Sequence, residues 1–222
     1  MVSVRAALLG IGLSLIVGLI LGPSASFAAP TPLSPAETAT YEKGFAAAQA
    51  ATHTFRAMLR QTLTLQGLDQ PVVSTGELFY AAPGRLLIRF SDPAGEWMRI
   101  ADGELEMKKT GQPPVRRDLA QGGSNAATLL DFFGGDAARW DRDFQVTMSR
   151  DENNDRLRVE LVPWRVPGAK RQGVDRIVTT LRLPDYEVIS IEVAMNAENR
   201  IGFEFSDGRR NAAIDPQIFK TP

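Results

Sequence analysis

The sequence predicts a mainly β chain: a strongly curved antiparallel sheet, in effect a half-open barrel, with helices across its opening. Three observations predict it. From Phe55 onward the apolar residues recur with a period of two, through about ten segments separated by turn signals. Only two stretches change to a helical period, one before the strands and one in mid-chain. Finally, sequential antiparallel strands with one apolar face need that face covered, and two helices are few for a sheet of this width unless it curls.

Composition narrows the function. The chain has 222 residues, with 25 Lys and Arg against 26 Asp and Glu, a net charge of −1 that argues against a nucleic-acid binder. Cysteine is absent, which excludes disulfides, thiolate metal sites and a cysteine nucleophile. The single histidine, His53, excludes a multi-histidine metal site. No repeat or linker divides the chain, so one domain is expected.

The first residues set the compartment. Arg5 precedes an apolar run of 16 residues from Ala6 to Leu21, broken by Gly22-Pro23, and Ser26-Phe27-Ala28 offers small residues at a cleavage site. This is the layout of a secretory signal peptide. The run is short for a bilayer span of about 20 residues, and an uncleaved anchor is the alternative. Residues 1–28 are therefore expected as signal peptide, cleaved near Ala28/Ala29, and residues 29–222 as one exported domain. In a cell with two membranes its destination is the periplasm.

The elements follow in order. Ala29 to Leu33 read as a mobile Pro-rich leader. Ser34-Pro35-Ala36-Glu37 is a helix start with a capping box, and Tyr41, Phe45, Ala48 and Thr52 form its weakly apolar stripe. Phe55, Ala57, Leu59, Leu63 and Leu65 share one strand face. Leu78 and Tyr80 come next, and Pro83-Gly84 turns into Leu86, Ile88 and Phe90. Met98 and Ile100 lead through Asp102-Gly103, a tight-hairpin signal, to Leu105 and Met107. After a break at Gln112-Pro113-Pro114, Ser124 opens a short helix carrying Leu129, Leu130, Phe132 and Phe133, stopped by Gly134-Gly135. Its apolar residues fall on nearly all sides, so it is either a core helix or a lid. Strands resume at Phe144, Leu157, Ile177, Ile189 and Ile201, and the tail carries Ile214, Asp215 and Phe219.

Catalytic signatures are missing. Asp151-x-Asn153-x-Asp155 begins like a calcium loop but has Arg156 where glycine is needed and Val162 in place of the bidentate glutamate; a polar turn is the simpler reading. No G-x-S-x-G elbow exists to partner His53, and no phosphate-binding glycine loop occurs. Asp92, Glu96 and Asp102 sit in turn-rich segments. Lys170-Arg171 is a solvated loop or a partner-docking patch. No cofactor, metal or catalytic residue is expected, and the chain is read as a non-enzyme.

Four pieces carry a resemblance. They are Ser74 to Leu86 (STGELFYAAPGRL), Arg89-Phe90-Ser91-Asp92-Pro93, Ile100-Ala101-Asp102-Gly103, and Asn211 to Phe219 (N-x-x-I-D-x-x-x-F). In this order, after a signal peptide, the chain resembles the outer-membrane lipoprotein carrier protein (LolA) family over nearly all of residues 29–222. The resemblance implies an eleven-strand half-barrel with two or three helices acting as lids. It also implies a monomeric carrier that takes acylated lipoproteins or lipids from an inner-membrane ABC-type exporter to an outer-membrane receptor. Many members hold the lid with a basic residue just before the proline of the first stretch. Here that residue is Ala82, which leaves Arg85 and Arg89 as substitute latch candidates, although Arg89 lies on the face opposite Ile88 and Phe90.

Strand phase assigns the concave ligand-binding face to Leu59, Leu63, Leu78, Tyr80, Leu86, Ile88, Phe90, Met98 and Ile100. Tyr41, Phe45, Leu129, Phe132 and Phe133 are the expected lid. The methionines, Met58, Met98, Met107, Met148 and Met195, suit either an adaptable surface or ordinary core filling. Two other functions stay open: a lipid or lipoprotein sensor on the same fold, regulating a membrane partner, and an exported hydrolase using His53.

Overall fold

The computed structural model describes residues 31–119, 130, 132–134, 140–151, 155–164 and 173–220. Its strands are β1 (Thr31–Pro32), β2 (Thr54–Thr64), β3 (Val72–Ala81), β4 (Arg85–Asp92), β5 (Trp97–Ala101), β6 (Glu104–Lys108) and β7 (Val115–Asp118). After the mid-chain helical region come β8 (Phe144–Arg150), β9 (Arg156–Pro163), β10 (Arg176–Arg182), β11 (Glu187–Ala194) and β12 (Arg200–Arg210). All join one antiparallel sheet in the order β1-β8-β9-β10-β11-β12-β2-β3-β4-β5-β6-β7. The sheet is open, with β1 and β7 as its edges, and holds twelve strands where about eleven were expected.

The helices are fewer and shorter than expected among the described residues. One is long: α1 (Pro35–Ala50). A single turn, α2 (Trp140–Asp143), precedes β8, and a 3₁₀ turn (Pro216–Phe219) ends the fold. Of the expected mid-chain helix, Leu130 and Phe132–Gly134 are described; Leu129 lies outside the described residues, as do the signal peptide, Asn153 and Lys170-Arg171.

Local chemistry explains the boundaries that do match. Ser34 caps α1: the Glu37 amide donates to its Oγ at 3.4 Å, and the Ser34 amide donates to Glu37 Oε2 at 3.0 Å. The Ser34 hydroxyl also donates to Glu37 Oε2 at 2.7 Å, and this bond first, then that of the Ser34 amide, holds the Glu37 carboxyl below its usual range. Asp102 and Gly103 both take positive φ, 53° and 78°, as a two-residue hairpin requires. The leader is not free: Thr31 and Pro32 pair with Arg150 and Ser149, and the Leu33 amide donates to the Met148 carbonyl at 2.9 Å.

The register sorts the side chains onto two faces. Phe55, Tyr80, Leu86, Ile100 and Leu105 stand opposite one another across β2 to β6. Ala57, Leu78, Ile88, Met98 and Met107 form the next row. Beyond β12 the same face continues with Phe203, Ile191, Thr179 and Val159. All of these but Thr179 belong to or pack against a single apolar cluster that also takes in Phe45, Phe132, Phe133 and Trp140. A flat sheet of twelve strands would be about 53 Å wide at ~4.8 Å per strand. Helix α1, at about 24 Å long, would leave most of such a face in water. Burial of this face from β4 to β9 is what a sheet coiled with this face on its concave side predicts.

A smaller cluster lies on the outer face. Phe79, Ala81 and Leu87 are covered by Phe219, Ile214 and Ile218 of the C-terminal segment. Arg99 ties that segment down, donating to the Phe219 carbonyl at 2.8 Å and to that of Lys220 at 3.0 Å.

Candidate functional site

The inner face has a closed end and an open end. At the closed end, beside the start of β2 and the end of β3, aromatic rings are stacked in depth. Phe133 lies 5.3 Å from Phe55, 5.4 Å edge-on from Phe205 and 6.4 Å from Tyr80. Phe45 of α1 stacks on Trp140 at 5.1 Å, and Trp140 meets Phe132 at 5.2 Å. Tyr41 stands edge-on to Tyr186 at 6.4 Å. Gly134 is required here, because a Cβ at that position would collide with the Tyr80 hydroxyl. Burial pushes that phenol's pKa up.

At the open end, along the end of β2 and the start of β12, the same face is only half-buried. Leu63, Phe90, Met98, Met107 and Ile201 are there. Of the nine residues assigned to the concave face, Leu59, Leu78, Tyr80, Leu86, Ile88 and Ile100 are buried, and Leu63, Phe90 and Met98 are half-buried nearer the opening. All nine share the inner face. Phe45, Phe132 and Phe133 meet them from above, with Tyr41 at the periphery.

One polar contact joins the two helical pieces. Gln49, buried on α1, donates from Nε2 to the Phe132 carbonyl, while its Oε1 has no hydrogen-bond partner among the described residues. Gln49, Thr52, Phe55, Phe132, Phe133, Val188 and Arg210 line a cavity of about 10 Å³. The Arg210 guanidinium donates to the Asp185 carbonyl and, at 2.6 Å, to that of Tyr186. Burial lowers its pKa, with Glu187 and Asp185 acting in the opposite sense.

Sequence reasoning did not find Gln49. Its signal was the spacing: Tyr41, Phe45 and Gln49 repeat every four residues and so share a helix face. Trp140, in a one-turn helix, was likewise unassigned.

The latch candidates lie elsewhere. Arg85 sits over the Phe219 ring at 5.4 Å, within the outer cluster. Arg89 pairs with Glu77 at 3.1 Å and lies over Phe79 at 5.5 Å. Both are on the outer face, because their strand neighbours Leu86, Ile88 and Phe90 take the inner one; neither reaches α1. Ala82, in contrast, is packed against the inner cluster.

The residues weighed for catalysis have structural surroundings. The His53 amide donates to Asn211 Oδ1 at 2.8 Å and its carbonyl accepts from the Ala82 amide. In the β8–β9 turn the Asp151 amide donates to the Arg156 carbonyl, and the Arg156 amide donates to Asp151 Oδ1 at 3.3 Å. Glu96 accepts from the Thr110 amide at 3.0 Å. Among the described residues no group of three acidic, histidine or cysteine side chains could hold a metal ion. No described helix is long and apolar enough to cross a membrane.

No family model matches the chain, and no curated protein matches it either. Solved structures do resemble it. One is a domain from Vibrio parahaemolyticus assigned to outer membrane lipoprotein-sorting proteins. It is 12% identical at a TM-score of 0.46, over 82% of this chain and 94% of that one. A LolA superfamily protein from Nitrosomonas europaea is 9% identical at a TM-score of 0.42, over 82% and 96%. The Mycobacterium tuberculosis lipoprotein LppX is 9% identical at a TM-score of 0.45, over 82% and 100%. These likenesses are distant, and they include the family that the sequence motifs resemble.

Proposed function

We propose that the concave face of the sheet binds the acyl chains of lipoproteins or other acylated lipids. The protein then acts as a non-catalytic carrier in an exported compartment, between an inner-membrane ABC-type exporter and an outer-membrane receptor. The observation that carries this reading is how the inner face is covered. At its closed end the cover is a set of aromatic side chains, Phe45, Phe132, Phe133 and Trp140, resting on an aromatic floor. A single described side-chain hydrogen bond, from Gln49 to Phe132, joins α1 to the Phe132–Phe133 segment.

Such a cover can exchange with an alkyl chain, because both sides of the exchange are apolar. An acyl chain of about fourteen methylenes gains ~11 kcal/mol on burial. Withdrawing two phenylalanine rings from a core costs ~3–5 kcal/mol each. The two quantities are similar, so binding is reversible, as a carrier that must release its cargo requires. In this reading α1 and the Phe132–Phe133 segment are the lid, and Gln49 rather than Arg85 or Arg89 is its latch.

The test is native mass spectrometry of the protein purified from its own periplasm. A co-purified lipid or lipoprotein is expected, its mass giving the cargo class. A protein that is empty and also indifferent to fluorescent acyl probes would overturn the proposal.

A further inference from the structure

We propose that the rim at which the inner face opens docks onto the surface of a lipid bilayer. Six large hydrophobic side chains are exposed among the described residues: Met58, Leu68, Val72, Val73, Val115 and Trp164. Because the sheet is antiparallel throughout, the ends of β2 and β9 and the starts of β3, β7 and β12 lie along one rim. Five of the six belong to it. Leu68 is in the β2–β3 turn, Val72 and Val73 open β3, Val115 opens β7, and Trp164 directly follows β9. Met58 alone lies elsewhere, in mid-strand on the outer face. At the opposite rim the β3–β4, β5–β6 and β10–β11 turns contribute none.

Their placement selects the partner. These residues come from β9, from the β2–β3 pair and from β7, which are separated in the sheet by several strands. Spread in this way they form no groove for a single peptide, whereas a fluid planar surface can meet them all at once. Tryptophan, with an apolar body and a polar N–H, is suited to the boundary between headgroups and acyl chains. Among the described residues the rim's charges have both signs, with Asp69, Glu96 and Glu198 beside Lys108, Lys109 and Arg200. Docking is therefore apolar insertion rather than attraction of net charge. The row that begins at Val72 runs along this rim through Leu63 and Ile201 to Val193. Inward from this row the inner face is apolar along β12 and β11, through Phe203 and Ile191, while β2 and β3 place Gln61 and Ser74 there, so a chain leaving the bilayer would enter along β12 and β11. Docking itself stands on the exposed side chains; only what passes through the rim rests on the acyl-binding reading.

The experiment uses the chain from Ala29, which holds every described element, with phosphatidylcholine vesicles and their brominated counterparts. Flotation with the vesicles and quenching of tryptophan fluorescence by the brominated lipid are expected. Raising salt to about 0.5 M should change partitioning less than about twofold. The double variant Leu68→Asp/Val72→Asp should partition at least about tenfold more weakly. Leu68→Asp alone, in an exposed turn, gives the same direction if the double variant does not fold. Absence of flotation, equal partitioning of the folded variants, or loss of binding in salt would overturn the proposal. A soluble acyl probe, titrated without vesicles, separates the two readings. Vesicle binding without probe binding refutes the acyl-binding reading and leaves the docking; probe binding without vesicle binding does the reverse.

Discussion

Replacing Phe133 by alanine separates a lid from a core. The ring is 3% exposed and touches Phe55, Tyr80 and Phe205 at centroid distances of 5.3 to 6.4 Å. Truncating a phenylalanine in such surroundings costs ~3–5 kcal/mol. If the Phe132–Phe133 segment is a lid, that energy is lost from the closed state and not from the open one. At ~1.4 kcal/mol per factor of ten, the balance shifts towards open by roughly a hundredfold to a thousandfold. An acyl ligand that needs the open state then binds more tightly, because it no longer has to displace the ring, by up to the same factor. Stability to urea should fall by no more than the free energy gained in probe affinity, because both are referred to the same closed state. The assay is a pair of titrations, a fluorescent acyl probe and urea, on wild type and Phe133→Ala. Unchanged or weaker probe affinity together with the full loss of stability would make Phe133 a core residue and refute the reasoning. Phe133→Glu, which places a charge where the alkyl chain would lie, should instead weaken probe binding in a protein that still folds.

Gln49→Leu removes the bond to the Phe132 carbonyl, but it also removes the buried, unpartnered Oε1. The two effects oppose each other, so the midpoint of urea unfolding should move by less than ~1 kcal/mol. The proposed latch is lost all the same, and the Gly134 amide, which donates to the Leu130 carbonyl, should exchange its hydrogen faster, by up to about fivefold. Glu77→Gln tests the outer face. Burial raises the Glu77 pKa, but hydrogen bonds from Arg56 and Arg89 outweigh it and hold the carboxyl below its usual range. Its stabilisation is therefore complete above the usual carboxylate range and lost as pH falls through the lowered value. The variant should be less stable than wild type by urea unfolding at pH ~7, and the gap should narrow as pH falls below the usual carboxylate range. Asn211 takes a positive φ of 56°, accepts from the His53 and Thr54 amides, and donates to the Ala51 carbonyl at 2.9 Å. Asn211→Ala should cost ~2 kcal/mol in thermal or urea unfolding, and Asn211→Gly less, since glycine keeps the backbone angle.

Much of the fold was legible because its signals are local. Ser34 and Glu37 mark the helix start within four residues, Asp102-Gly103 marks a turn within two, and strand phase separates Leu86, Ile88 and Phe90 from Arg85 and Arg89. What escaped is set by distant partners. β1 is two residues long, one of them proline, and exists because Ser149 and Arg150 pair with it. β7 is exposed throughout and has no apolar alternation; its ladder with β6 and the ion pair of Arg116 with Glu106, at 3.0 Å, hold it. The proposed latch escaped for the same reason. Arg85 and Arg89 were close to the expected position in sequence, yet period-two geometry turns both away from the lid. Gln49 bonds a carbonyl 83 residues further along the chain.

The motifs behind the family resemblance describe how the sheet is built more than what it holds. Gly76 sits at a register shift in β3, where a Cβ would collide with the Arg89 carbonyl. Asp102-Gly103 closes a hairpin, Asn211 clamps the junction of α1 and β2, and Asp215 caps the turn that brings Phe219 onto the outer cluster. Leu78, Tyr80, Leu86, Phe90 and Ile100 are the large motif residues that reach the inner face, with Ala82 packed against it. The rings meeting there at the closed end, Phe45, Phe132, Phe133, Phe203 and Phe205, belong to none of the four pieces. A chain can therefore keep this scaffold and change what it carries by changing those rings. Cargo preference in this protein should follow substitutions at Phe132, Phe133 and Phe205, while substitutions at Gly76, Asn211 and Phe219 should alter stability and leave the preference as it is.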